Sequence, residues 1–228
     1  DDKVLKVIPR GADLDVFDAS SVSQQKTEIF IKEWNISKES PVIILPARLT
    51  RWKGHELLID ALSQLKDVPF TCIFVGSYKG KQNYKSELQT LIFANKLEDR
   101  IRIVGHCSDM AAAYKLADVV VAASLDPEPF GRVAVEAQAM GCILVAADHG
   151  GTRETVVKDE TGILVKPRNS NALADGIKRA LTMTRTQRRT MSTAAINHIT
   201  SNFSRNAMCY RTMSLYCEIL GISPAEHS

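Results

Sequence analysis

Apolar residues along this chain fall into short unbroken runs, separated by longer stretches in which they recur at helical spacing. Val42-Ile43-Ile44-Leu45 and Asp118-Val119-Val120-Val121-Ala122-Ala123 show no polar alternation, the pattern of a strand buried on both faces of a parallel sheet. Between Gly54 and Leu65, Leu58, Ala61, Leu62 and Leu65 share one side of an amphipathic helix. Read throughout in this way, the pattern predicts strands at 42–46, 70–75, 101–105, 118–123, 142–147 and 162–165. It predicts helices at 22–34, 55–66, 82–96, 109–116, 130–140, 151–157, 170–183, 187–200 and 204–220. Such alternation implies an α/β fold on a doubly wound, Rossmann-like parallel sheet, with residues 1–228 forming a single domain. The last helix, from its cap Ser204 through Met208, Tyr210, Met213, Tyr216, Cys217 and Leu220, is apolar over a wide face, and core packing is the expected use of that face.

Composition narrows the picture. Apolar and charged fractions of 45% and 24% are ordinary for a globular chain, and a net charge of +3 is too small to imply a nucleic-acid partner. No apolar run is long enough to span a bilayer, and no secretory signal stands at the start. Cys72, Cys107, Cys142, Cys209 and Cys217 show neither a Cys-x-x-Cys pair nor zinc-ligand spacing. Several lie in apolar strands or helix faces, so buried reduced thiols and a cytoplasmic compartment are expected. The histidines include no pair at metal spacing, so no metal site is expected.

The chemistry concentrates in the run from Glu128 to Gly141, Glu-Pro-Phe-Gly-Arg-Val-Ala-Val-Glu-Ala-Gln-Ala-Met-Gly. It follows the apolar strand at 118–123. Pro129 and Gly131 break the chain there, and Gly131 leaves the backbone open to a ligand. Glu128 stands just before the helix start and Glu136 about two turns inside, so both can face one cleft with the helix N-terminal amides between them. Such a helix start suits a phosphate. Carboxylates beside it would repel the phosphate and so accept from hydroxyls, one from a sugar and the other from a ribose diol. Around Glu136 nearly every neighbour is apolar, which buries the helix and obliges this carboxylate to find a partner, either an internal cation or a bound ligand.

With these motifs the chain resembles the C-terminal, donor-binding half of a GT-B fold glycosyltransferase of the group 1 type (family 4), whose signature is two glutamates around a Phe-Gly turn. The similarity extends over essentially the whole chain. Val7-Ile8-Pro9-Arg10-Gly11-Ala12-Asp13 with Phe17 resembles the family's interdomain hinge, and Pro46-Ala47-Arg48-Leu49-Thr50-Arg51-Trp52-Lys53-Gly54 its Gly-Arg-Leu to Lys-Gly turn. Phe74-Val75-Gly76, Val104-Gly105-His106 and Gly150-Gly151-Thr152-Arg153-Glu154 follow in the same order. Ala47 departs from the family's glycine and narrows the backbone approach.

The resemblance implies a retaining transferase that takes a nucleotide-diphosphate sugar without a metal or other cofactor. Arg48 and Lys53, with the amides near Phe130, Gly131, Arg132 and Val133, would hold the diphosphate; Glu136 would accept from the ribose, and Glu128 from the sugar. Gly76 would open the donor pocket, and Gly105 and His106 would meet the nucleobase. The acceptor, a glycan or lipid-linked glycan, would be met by an N-terminal domain absent from this chain, since Asp1 falls within the hinge-like segment at 1–20. The whole enzyme would then work in the cytoplasm, with peripheral association at the inner membrane face, and the helix at 204–220 would cross back toward the missing domain and leave part of its face uncovered. A GT-B-like epimerase or phosphorylase, or a non-catalytic nucleotide- or protein-binding module, would share the fold.

Other features read as solvated surface. Asp13-Leu14-Asp15 matches an Asp-x-Asp metal pattern but precedes any strong strand. Tyr78 to Lys85 mixes aromatics and lysines in one short segment, too little for a nucleic-acid groove. Arg51 and the Arg185 to Arg189 run read as exposed charge, and His149 as a loop residue.

Overall fold

The computed structural model describes residues 5–37 and 39–222. Strands β1 (Val42–Pro46), β2 (Thr71–Val75), β3 (Ile101–Gly105), β4 (Val119–Ala122), β5 (Ile143–Ala147) and β6 (Ile163–Val165) form one sheet in the order β3-β2-β1-β4-β5-β6. Every neighbouring pair is parallel. Helices α1 (Gln24–Glu33), α2 (His55–Ser63), α3 (Gln82–Ala94), α4 (Met110–Leu116), α5 (Arg132–Ala139), α6 (Thr152–Thr155), α7 (Ser170–Leu181), α8 (Arg185–Asn202) and α9 (Arg205–Leu220) connect and follow the strands. Each predicted element is present, most of them slightly shorter than the pattern implied. α8 is longer and starts two residues early, at Arg185, where Thr184 and Gln187 close a capping box. A 3₁₀ turn at Arg51–Lys53, unforeseen in the sequence, ends at Gly54 in a left-handed conformation.

The period of two along each strand divides the core. Ile43, Leu45, Val119 and Val121 point to the side where Leu58, Leu62 and Ile177 of α2 and α7 pack. Val120, Leu144 and Ala146 point to the other side, against Ala112, Ala134 and Ala137 of α4 and α5. Both faces are therefore covered, and the buried strands need no polar alternation.

The ends of the described chain are joined. Ala12 N–H donates to the Phe203 carbonyl at 2.7 Å, Arg205 N–H donates to the Ala12 carbonyl at 2.9 Å, and the Arg205 guanidinium reaches Asp13 at 2.7 Å. Asp13 thus has an ion-pair partner, and the exposed Asp15 meets the same guanidinium at 3.3 Å. The expectation that α9 packs its apolar face in the core is corrected. Only Cys217 of this helix is buried, and Tyr210, Met213, Tyr216, Ile219 and Leu220 are all exposed. The sheet face is already covered by the preceding helices, so α9 meets the domain along one edge, through the α8 junction.

Beneath the turn that joins β1 to α2 lies His55, fully buried and edge-on to Phe74 and Tyr84. The backbone at Ala47 and Thr50 is near enough to favour its cation somewhat, but neither ring nitrogen completes a hydrogen bond of ordinary geometry. Burial dominates and lowers the imidazole from 6.5 to about 4. The folded ring stays neutral where the unfolded ring takes up a proton, so the unfolded state binds more protons between those values. Stability conferred by this ring is complete above about pH 6.5 and declines as the pH falls toward 4, by about 3 kcal/mol in all. Urea unfolding from pH 7.5 to 4.5 should show this decline in the unaltered chain and a shallower one in His55→Leu; equal slopes would show that the ring is not desolvated as described.

Candidate functional site

In this strand order the chain turns opposite ways after β1 and β4, and a crevice opens beyond their carboxyl ends. A cleft of about 630 Å³ occupies that place. Arg48 and Lys53 enter it from the turn after β1, Gly76 from the end of β2, His106 from the end of β3, and Glu128, Phe130, Gly131, Arg132, Val133 and Glu136 from the turn after β4 and from α5. Of the residues singled out in the sequence, Gly105 alone lies outside the lining. It is buried behind the wall, with the Tyr78 ring against the position a Cβ would take. Gly76 does line the cleft, and its missing side chain also admits the Ala47 carbonyl, which would stand 2.0 Å from a Cβ.

Gly131 adopts φ 77°, which turns the chain sharply into α5. No side chain caps this helix, so the N–H groups at Gly131, Arg132 and Val133 face the cleft unpartnered by a cap. Arg48 is exposed and makes no ion pair among the described residues.

Both carboxylates already have partners. Lys53 Nζ lies 2.8 Å from Glu128 Oε1 and 4.1 Å above the Trp52 ring, and the Lys53 and Glu128 side chains are only 14% and 19% exposed. Ser124 Oγ donates to the same Glu128 oxygen. Glu136 is buried; its Oε2 accepts from the Tyr114 hydroxyl at 2.9 Å, and its Oε1 from Arg132 at 2.9 and 3.2 Å. The partner that the sequence required for Glu136 is therefore a phenol together with a cation from its own helix. Burial, reinforced by the Glu136 charge, raises the Tyr114 phenol well above its usual range, so it acts as a donor. Two carboxylates, the cations Arg48, Lys53 and Arg132, and an open helix start in one crevice can bind a molecule that carries both phosphates and hydroxyls.

The family model described as glycosyl transferases group 1 matches residues 26–198. The chain belongs to that family. Among relatives of this group 1 glycosyl transferase chain, a D-inositol 3-phosphate glycosyltransferase of Corynebacterium glutamicum is 31% identical over 218 residues, covering 93% of this chain and 51% of its own. The chain spans about half the length of the curated relatives it matches. A crystal structure of a Rickettsia africae glycosyltransferase superposes with a TM-score of 0.93 at 35% identity, over 98% of this chain and 59% of that one. Anabaena HepE, solved in complex with UDP and glucose, superposes with a TM-score of 0.84 at 30% identity, over 95% and 57% of the two chains. The six-stranded α/β domain of this chain is thus the group 1 glycosyl transferase fold.

In this group 1 domain the sequence left several site residues unmarked. Arg10 and Tyr114 line the cleft, and Ser124 reaches Glu128 from behind it. Arg10 stands in the hinge-like motif without any spacing that ties it to Glu136, and Tyr114 reads simply as an apolar position on a short helix. Arg51, read as solvated, is exposed but reaches Glu56 at 2.9 Å and Glu87 at 2.5 Å. Among the five cysteines, Cys72, Cys142 and Cys217 are buried thiols, Cys107 lines the cleft and Cys209 is exposed.

The unequal burial of the two donors to Glu136 separates their energetic weights. Tyr114→Phe, which removes a buried donor from a buried carboxylate, should lower unfolding stability by about 1–3 kcal/mol. Arg132→Ala, whose guanidinium is 75% exposed, should cost less than about 1 kcal/mol. Urea midpoints of the two variants check the order, and a larger loss for Arg132→Ala would contradict it.

Proposed function

We propose that this chain is the donor-binding domain of a retaining glycosyltransferase that uses a nucleotide-diphosphate sugar and reaches its acceptor through a part of the protein beyond this chain. The observation that carries the reading is the convergence of Arg48, Lys53, Glu128, Glu136 and the open start of α5 on one cleft at the sheet's switch point. Membership of the group 1 family supports the reaction class, and the roughly half-length match to curated relatives supports a separate acceptor-binding part.

In this reading the diphosphate lies between the α5 N–H groups and the two cations. A helix start carries about half a positive charge, and Arg48 and Lys53 add charge where negative charge grows as the bond from sugar to phosphate breaks. Glu136 accepts from the ribose hydroxyls and Glu128 from the sugar. Lys53 lies between the acid and phosphate positions. Its ammonium has three N–H groups, so one can stay on Glu128 while another meets a phosphate oxygen. His106, exposed at the rim, would meet the base. UDP is the first nucleotide to consider, because HepE was solved with it. The acceptor is a glycan or lipid-linked glycan, and the compartment is the cytoplasm, with peripheral association of the whole enzyme at the membrane. For the compartment, the support is in the thiols: burial pushes Cys72 far up and Cys142 up to about 12, which keeps both protonated and inert.

Calorimetric titration with UDP, GDP and ADP tests this reading. One of the three should bind, with Glu136→Ala weakening it about 10- to 100-fold, the value of a desolvated charge-assisted hydrogen bond. Arg48→Ala should weaken it about tenfold. The chain alone should transfer no sugar at an ordinary enzymatic rate, and failure to bind any of the three nucleotides would refute the assignment.

A further inference from the structure

Glu128 is held from two sides, by Lys53 on the cleft wall and by Ser124, which does not line the cleft. Ser124, almost wholly buried at the end of the β4 strand, donates its hydroxyl to Glu128 Oε1. Lys53 Nζ donates to that same oxygen at 2.8 Å. Two donors on one oxygen fix the rotation of the carboxylate and leave Oε2 with no protein partner among the described residues. A carboxylate in this state offers one defined acceptor to a ligand, where a freely rotating one would offer two equivalent ones.

Ser124 is in turn anchored. His149 Nε2 lies 2.9 Å from the Ser124 carbonyl, and because a carbonyl can only accept, Nε2 must carry the proton. The His149 carbonyl accepts from Thr152 Oγ1 at 2.7 Å, and the same hydroxyl reaches the Ala147 carbonyl at 2.5 Å, which ties the loop after β5 to the start of α6. Two residues after His149, Gly151 N–H donates to the Glu128 carbonyl at 2.7 Å. The loop after β5 therefore grips the Glu128 turn at two points, the backbone of Glu128 itself and the carbonyl of the serine that orients its side chain.

We infer that Ser124 and His149 are positioning residues that aim Glu128 Oε2 at a hydroxyl of the donor sugar, so that the β5 loop, without touching the ligand, sets how strongly the site favours a sugar nucleotide over the bare nucleoside diphosphate. Positioning of this kind matters because a charge-assisted hydrogen bond loses most of its value when its acceptor rotates away. The inference rests on the donor-site reading above, and it adds to that reading a role for residues outside the cleft.

The test is the ratio of two dissociation constants for the whole chain, for UDP-glucose against UDP and for GDP-mannose against GDP, in the unaltered protein and in Ser124→Ala, His149→Phe and His149→Gln. Ser124→Ala and His149→Phe should each weaken the sugar nucleotide about three- to tenfold, with the affinity for the parent diphosphate unchanged within twofold. His149→Gln, whose amide can donate to the Ser124 carbonyl, should restore most of the loss. A merely structural role would weaken both ligands together and would not be rescued by glutamine. If the unaltered chain binds sugar nucleotides with a preference that the variants leave intact, or if both ligands weaken equally, this inference is overturned and the donor-site reading stands. If the unaltered chain binds neither diphosphate nor sugar nucleotide, both fall together.

Discussion

Two parallel strands that send their chains to opposite faces of a sheet cannot both be covered at their carboxyl ends, and this chain is organised around that gap. β1 passes into α2, which packs with α7 on one side, while β4 passes into α5, which packs with α4 on the other. Neither helix can close the space between the strand ends. The polar groups of the site are placed there: Lys53 from one connection, Glu128 and Glu136 from the other, and the uncapped amides of α5. The position of the cleft thus follows from connectivity, and the residues at its rim follow from which turns happen to end there.

The electrostatics of the cleft are settled within the protein before a ligand arrives. Each carboxylate has one cation and one hydroxyl: Lys53 and Ser124 for Glu128, Arg132 and Tyr114 for Glu136. A half-buried charge without such partners would cost several kcal/mol. Here the partners also orient the acids, and they differ in exposure. Lys53 is largely enclosed over Trp52, whereas Arg132 is mostly in solvent. Arg10 and Arg48, both exposed and without an acidic partner among the described residues, are the charges that this internal compensation leaves over.

Much of this was legible in the sequence because it depends on short range. Unbroken apolar runs mark strands buried on both faces, and the Glu128 to Glu136 run marks a helix with one acid ahead of its start and one inside it. What escaped is long range. Tyr114 lies 22 residues from the carboxylate it serves, and His149 lies 25 residues from the carbonyl it holds; no periodicity connects such pairs. Gly105 stands at the end of a strand, as the motif order implied, yet it is buried with the Tyr78 ring packed against it, a side-chain placement that spacing does not encode. The apolar face of α9 has the composition of a core helix, but whether a core remains for it to join is decided by how many helices already cover the sheet.

The bridge between Ala12 and the α8 to α9 junction has a mechanical consequence. Because Ala12 exchanges backbone bonds with Phe203 and Arg205, and Arg10 two residues earlier stands on the cleft wall, the segment that enters the domain is tied to the α8 to α9 junction alongside the ligand crevice. Tension applied ahead of residue 10 would meet these backbone bonds before it reached the strands of the sheet.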